Sequence, residues 1–458
     1  MICVDDLRPE LGCFGRTHVV SPNIDRLAAE GRLFTRHYVQ SAVCGPSRCS
    51  LLTGTRVATD WDWWRSLRRG KSEPEQPASF AHHFRRHGYR TICIGKISHQ
   101  PGGVMDEEQK VHQVPFSWDV AVAPVGPWRT PWRAFFSYSG GKAYNKVIRM
   151  EKEEPRLPHE CADVADTGYA DGLNAEEAVR QLRDLKQRGG PFLLAVGFYK
   201  PHLPFNAPKK YWDLYDRERI ELADNPYPPK GVDPAISLHE SFEVTTHYDW
   251  PSGPGKISED EARTLRHGYL ACVSYTDAQI GKVLDELSRL GLNDTTNVVL
   301  WSDHGWHLGE HGMFGKQTNY EVAVRSPLIV RQPGMPRPGV PSSALVETVD
   351  VYPTLCDLCA LPTPDGLAGT SLRPLVRDPL AQGKPHALSC HPRGELMGRT
   401  IRDDTYRLIH WVDKSGETVQ VELYDHRQDP NENTNIANEP EHKHLVERLL
   451  VQLRSGNW

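Results

Sequence analysis

Cys44-Gly45-Pro46-Ser47-Arg48 is the stretch on which the reading of this chain turns. Pro46 pre-sets φ for the first turn of a helix and lacks the N–H that a first turn leaves unbonded, so a helix is expected to start here and run through Leu51-Leu52 to Gly54. Cys44 then sits at a helix N-terminus, where free backbone N–H groups and the dipole favour an anion. A lone cysteine in such a place is more often a small buried apolar residue than a reagent. Its surroundings decide between the two. Asp5-Asp6 closes the apolar run Ile2-Cys3-Val4, Gly95-Lys96-Ile97-Ser98-His99 follows residues 90–94, Lys200-Pro201-His202 follows 191–197, and Ser302-Asp303-His304-Gly305-Trp306 follows 297–301. Each group comes directly after a strand-like run, and open α/β sheets bind ligands outside the carboxyl ends of their strands. Residues far apart in sequence are therefore expected to converge.

The organisation around these groups fits that geometry. From residue 2 to about 375, strand-like and helix-like segments alternate, as in a mostly parallel sheet sandwiched by helices. Residues 21–31 form a helix with Ser21 as N-cap, Pro22 in the first turn and Gly31 past the end. The segments 79–87, 175–187 and 261–290 are further helices, each leading into a strand. Two stretches, 101–172 and 208–256, are rich in Pro, Gly, Trp and charge without periodicity, and read as long functional excursions over the rim of the site. From about residue 384 the pattern changes to short antiparallel strands (399–402, 406–411, 419–423) and an amphipathic helix (442–453). The expected architecture is thus an α/β catalytic domain, 1–383, and a smaller C-terminal α+β subdomain, 384–458.

Composition sets the class. With 458 residues, 25% charged, 38% hydrophobic and a formal net charge of −5, the chain has the make-up of an ordinary globular protein with no nucleic-acid footprint. A polyanionic substrate would have to be drawn in by local cations. The longest apolar runs, such as Phe192-Leu193-Leu194-Ala195-Val196, fall far short of the roughly 20 residues of a transmembrane helix. The ten cysteines form no dense framework. Cys356 and Cys359 share a helix face without a second Cys or His pair, so core packing is the reading for them, as it is for Cys3, Cys93 and Cys272.

Cys44-Gly45-Pro46-Ser47-Arg48 matches the Cys-x-Pro-x-Arg signature of the formylglycine sulfatases, within the alkaline phosphatase superfamily, and the other four groups follow that family's pattern in the same order. The chain resembles this family over nearly its whole length. It is most similar to the iduronate-2-sulfatase branch in Asp5-Asp6-Leu7-Arg8-Pro9-Glu10-Leu11-Gly12-Cys13, Lys200-Pro201-His202-Leu203-Pro204-Phe205 and Asp303-His304-Gly305-Trp306-His307-Leu308-Gly309-Glu310-His311-Gly312. The resemblance implies an alkaline phosphatase-like fold and a sulfatase acting on a sulfated carbohydrate, a 2-O-sulfated uronic acid being the nearest model. It implies oxidation of Cys44 to formylglycine by a formylglycine-generating or anaerobic sulfatase-maturating enzyme, and a divalent cation, calcium in the family, held by Asp5, Asp6, Cys44, Asp303 and His304. Three carboxylates suit such an ion; the histidine nitrogen leaves calcium open against another divalent metal. Many sulfatases have Asn where His304 stands, but the iduronate-2-sulfatase branch also has His.

By the same resemblance, Arg48 holds the aldehyde hydrate and Lys96 and Lys316 clamp the sulfate oxygens. His99 takes a proton from the sulfated hydrate, and His202 protonates the departing alcohol. Trp306, Trp64 and Arg65 are candidate sugar contacts, the arginine for a uronate carboxylate. Gln317 departs from the branch, which tends to have an aromatic residue there. Residue 1 falls inside the first strand, so a truncated start is expected. The absent signal peptide then leaves the compartment open, with the resemblance implying a periplasmic, secreted or lysosomal enzyme. Two other functions compete: a phosphate or phosphonate ester hydrolase of the same superfamily, where phosphatases usually carry a Ser or Thr nucleophile and more metal ligands, and a sulfoglycan-binding pseudoenzyme whose Cys44 is never oxidised. The acidic run 422–432 reads as a turn-rich strand exit, not a calcium loop.

Overall fold

The computed structural model describes residues 1–56, 72–106, 111–148 and 154–456. Its frame is an eight-stranded sheet of β1 (Ile2–Val4), β2 (Arg32–Tyr38), β3 (Arg90–Gly95), β4 (Val120–Val122), β5 (Phe192–Phe198), β6 (Val298–Ser302), β7 (Leu328–Arg331) and β8 (Ser342–Glu347), in the order β8-β2-β7-β6-β1-β5-β3-β4. Only β7 runs against its neighbours β6 and β2; the remaining pairings are parallel. Consequently β1, β3, β5 and β6 all deliver their carboxyl ends to one edge.

Both faces are covered, which is why these strands are apolar at every position instead of alternating. Ile2, Val4, Ile92, Ile94, Leu194, Val196 and Leu300 point into one core with residues of the helices Pro22–Glu30, Ala170–Arg188 and Glu259–Arg289. The intervening Cys3, Cys93, Leu193, Ala195, Val299 and Trp301 point into the other, against Leu51 and Leu52 of the Cys44–Thr53 helix and Tyr352 and Leu355 of Val351–Leu358. Cys3, Cys93, Cys272 and Cys356 are free and buried, as core packing requires. The long helix Glu259–Arg289 opens with a capping box between Ser258 and Glu261. Ser21 precedes the first helix as expected but does not cap it: its hydroxyl bonds the Asp25 carboxylate at 3.1 Å and accepts from Gly12 N at 2.9 Å. Among the described residues no helix is long and apolar enough to cross a membrane.

A separate four-stranded antiparallel sheet follows: β9 (Ala387–Arg393), β10 (Leu396–Arg402), β11 (Tyr406–Val412) and β12 (Thr418–Asp425). Leu388, Ile401, Leu408 and Leu423 pack on Leu449 and Leu453 of the helix Lys443–Ser455. β9 was not expected from sequence, because His391-Pro392 interrupts it. Proline is tolerated there because β9 is an edge strand. The two sheets are joined through the buried Glu347 at the end of β8, which accepts from Arg56 (2.6 Å), Lys384 (2.6 Å) and the Leu388 amide (3.0 Å).

His37 in β2 is sealed between Ser326 O and Thr348 Oγ1, each 3.0 Å from a ring nitrogen, and burial lowers its pKa to about 4. An unfolded histidine takes its proton near 6.5, so between pH 6.5 and 4 the unfolded chain binds the extra proton. Stability is fully present above pH 6.5 and is lost as pH falls to 4, by about 3 kcal/mol from this group. Melting temperature should therefore fall across that window, and His37→Gln should flatten the fall; an unchanged slope in the variant refutes the assignment.

Candidate active site

Cys44 is the first residue of its helix, with Val43 as N-cap, and lies buried at the carboxyl edge of the sheet. Its Sγ is 3.3 Å from His304 Nε2, 3.3 Å from Lys316 Nζ and 3.9 Å from Asp6 Oδ1. Arg48, one turn on and fully buried, draws three strand ends together: its Nε donates to Asp303 Oδ2 after β6 (2.9 Å), one terminal nitrogen pairs with Asp5 Oδ1 after β1 (3.3 Å), and the other donates to the carbonyls of Lys96 and Ile97 after β3. Lys96 Nζ bonds Asp5 Oδ2 at 2.5 Å and Lys316 Nζ bonds Asp6 Oδ1 at 2.9 Å. Asp6 takes a left-handed φ of 59°, held by its amide donating to Asp303 Oδ1 (3.0 Å) and its carbonyl accepting from Tyr269 (2.8 Å).

Asp5, Asp6, Cys44, Asp303 and His304 each present a ligand atom, all within 4.8 Å of one another. Ligands at 2.3–2.6 Å from a common centre can lie at most about 5 Å apart, so the set fits one divalent cation. The charge state agrees. Burial pushes the Asp6 and Asp303 carboxyls up, against the pull of Lys316 and Arg48 respectively, and an added cation would relieve this. Burial would raise Asp5 as well, but Lys96 and Arg48 hold it below the usual carboxylate range. Burial, reinforced by Asp5, raises the Cys44 thiol well above its ordinary value, so the unmodified residue is a neutral thiol and a poor nucleophile. A second group, Glu321, His426 and Glu432, has similar spacing, but Arg407 already pairs with both glutamates, which leaves residues 422–432 a strand exit and turn.

A pocket of about 150 Å³ adjoins the cluster, lined by Lys96, His99 and His202 with Trp132, Phe135, Glu243 and His247 among others. Both long excursions supply its walls. His202 is fixed by Nδ1 against Leu203 O at 2.6 Å and by the Phe135 ring at 4.7 Å, and Lys96 Nζ lies 4.3 Å over the same ring. Burial, then Lys316, lowers the pKa of His202; burial, then Lys96, lowers that of His99. Lys200, in the same motif, is scaffold: its buried Nζ donates to the carbonyls of His202 (3.0 Å) and Pro204 (2.5 Å). A larger cavity, about 490 Å³, is lined by Met1, Leu193, Leu355 and other apolar residues at the amino end of the strands, and none of the site residues above lines it.

One expected sugar contact is buried. Trp306 is fully buried, edge-on to Phe205 and 5.2 Å beneath Lys316 Nζ, so it backs the lysine and offers no face to a sugar. Trp64 and Arg65 lie outside the described residues. Glu243, His247 and Phe135 went unread: no motif flanks them, and the only signal was their place in the aperiodic excursions.

A family model described as sulfatase matches residues 1–360, and one described as the C-terminal part of N-sulphoglucosamine sulphohydrolase matches 309–457. Iduronate 2-sulfatase of Mus musculus is 33% identical over 98% of this chain and 92% of its own, and that of Homo sapiens 31% over the same shares. Among solved structures, a phosphonate monoester hydrolase from Silicibacter pomeroyi superposes with a TM-score of 0.77 at 23% identity, covering 99% of this chain and 93% of its own. A protein solved with its substrate D-glucosamine-2-N,6-O-disulfate superposes with a TM-score of 0.75 at 22% identity, covering 99% and 96%.

Removing one partner from a buried ion pair costs about 3–5 kcal/mol, because the remaining charge is left uncompensated. Arg48→Ala strands two carboxylates. Its melting temperature should fall well below that of a surface control such as Arg180→Ala, and equal melting temperatures for the two variants would contradict the bridging role.

Proposed function

The chain belongs to the sulfatase family and is a sulfuric ester hydrolase, and on that premise we propose that it cleaves the sulfate ester of a sulfated saccharide through a formylglycine made from Cys44, beside one divalent cation. The observation that carries this reading is the burial of the Cys44 side chain at a helix N-terminus, between the Asp5–Asp6–Asp303–His304 donors and Lys316, with the pocket of Lys96, His99 and His202 alongside.

Asp5, Asp6, Asp303 and His304, with the modified Cys44, would hold the cation, calcium by the family resemblance. A cation held there would supply Lewis-acid polarisation of the sulfate oxygens and the nucleophile. One hydroxyl of the aldehyde hydrate, giving its proton to the Asp303 carboxylate of the same cluster, would bond sulfur as the ester S–O bond breaks, and reforming the carbonyl, with cleavage of the C–O bond to that oxygen, would release sulfate. Lys96 and Lys316 are placed to exchange their carboxylate contacts for sulfate oxygens, where their charges stabilise the transition state. As the ester S–O bond breaks, His202 gives its proton to the departing alcohol oxygen. Its pKa is low in the empty pocket, and an anionic ester alongside raises it. His99 then takes the proton of the second hydrate hydroxyl, and sulfate departs. The likeness to iduronate 2-sulfatases makes a 2-O-sulfated uronic acid the first substrate to try, and action in a periplasmic, secreted or lysosomal compartment belongs to the same proposal.

Mass spectrometry of the peptide across Cys44 should show formylglycine in active protein; thiol alone in a fully active preparation refutes the mechanism, and Cys44→Ala should be inactive yet folded. Chelation should abolish turnover, with divalent cations restoring it. His202→Ala should lose about 10²–10⁴-fold on a sulfated sugar and much less on an aryl sulfate, whose phenolate needs little protonation. His99→Ala should accumulate sulfated protein, visible by mass. Faster cleavage of a phosphonate monoester than of any sulfate ester would favour the competing hydrolase reading.

A further inference from the structure

Glu243 sits on a single helical turn, Phe242–Thr245, inside the second excursion, and its carboxylate lines the pocket with Lys96, His99 and His202. One oxygen, Oε1, accepts from Gln317 Nε2 at 2.8 Å; the other, Oε2, lies 3.6 Å from Lys316 Nζ, beyond hydrogen-bond length. Oε2 thus keeps its capacity to accept. Gln317 is itself held in a left-handed conformation, φ 62°, which is costly for a residue with a side chain and persists only where surroundings enforce it. Three anchors enforce it: its amide donates to Ala42 O (3.0 Å), its carbonyl accepts from Arg393 of β9 (2.8 Å), and its side chain holds Glu243, while its own Oε1 is buried with no hydrogen-bond partner. Strained backbone behind the pocket lining, spent on fixing one carboxylate that does line it, points to a recognition role.

We propose that Glu243, fixed by Gln317, reads the substituent on the sugar carbon next to the sulfated one, accepting a hydrogen bond from a hydroxyl or ammonium there and rejecting a second sulfate. The inference rests on the sulfatase reading, in which Lys316 clamps a sulfate oxygen and so lies close to the oxygen that leaves. The neighbouring oxygen of a sugar ring lies about 3 Å from that oxygen, so a sugar whose leaving oxygen sits by Lys316 Nζ brings its neighbour within reach of Glu243 Oε2, 3.6 Å from the same nitrogen. A hydroxyl there meets an acceptor with spare capacity. A sulfate there meets a carboxylate whose position is locked, so the like charges cannot separate. Sites built around a polar partner discriminate strongly, since the wrong group leaves buried polar atoms unpaired.

The test compares kcat/KM for formylglycine-bearing protein on 4-nitrophenyl sulfate, a monosulfated saccharide with a free neighbouring hydroxyl, and the same saccharide sulfated at both carbons. The wild type should prefer the monosulfated sugar to the disulfated one by about 10²-fold or more. Because Glu243 also lies near Lys316, both variants lose some rate on the aryl sulfate, and the readout is the sugar ratio. Glu243→Gln, nearly the same size, should shrink that ratio at least about tenfold; Gln317→Ala, which keeps the carboxylate but unties it, should give an intermediate value. A ratio unchanged in both variants overturns the inference and leaves Glu243 as a support for Lys316. No turnover of any sulfate ester overturns the sulfatase reading and this inference with it, whereas turnover of the aryl sulfate with an unchanged sugar ratio overturns the inference alone.

Discussion

Three carboxylates, Asp5, Asp6 and Asp303, are packed with almost no water at the meeting point of two adjacent strands, and the protein is organised around keeping them there. Like charges in a dry environment repel strongly, and each also forfeits its hydration. Arg48 is what makes the gathering stable. Its planar fork spans Asp5 and Asp303 and still reaches two carbonyls beyond β3, which a lysine, as a point charge, could not do. The helix that carries Arg48 also carries Cys44, so the group that neutralises the carboxylates and the proposed nucleophile are set by one element.

The lysines show the same economy of position. Lys96 and Lys316 are buried, each against one carboxylate, and each lies over an aromatic ring, Phe135 and Trp306 respectively. A ring face attracts a cation without competing for its hydrogen bonds. The lysines are therefore preformed near the anion site while free to change partner. Trp306 is buried for this reason: its place in the sequence next to the metal-ligand candidates indicates proximity to the site, but its contribution is made from behind.

Much of this was legible in the residues. The strands are short, apolar and followed at once by polar groups, and a parallel sheet forces those groups to one edge; Asp5, Lys96, His202 and Asp303 could be placed by that rule. The helix expected over 79–87 is found at Phe80–Arg86, where the Ser79 side chain accepts from the His82 amide. The failures have physical causes. β9 was hidden by a proline that only an edge position tolerates. Ser21 spends its hydroxyl on the Asp25 side chain and the Gly12 amide instead of on the free N–H groups of its helix. Glu243 and Phe135 belong to segments whose form is dictated by what they cover, so no local period marks them. Gln317 was singled out only as a departure, and its backbone strain is invisible in sequence.

The join between the two sheets bears on how such a protein can change over time. Lys384 and the Leu388 amide end on Glu347 of the large sheet, and Arg393 of β9 ends on the carbonyl of Gln317, beside Lys316. A C-terminal segment imported from another protein by recombination would have to supply a cation for a buried glutamate and a donor for the pocket loop in register. The two parts look separable on a topology diagram, yet a change of register in the small sheet would be felt at Glu347 of the large one and at Gln317.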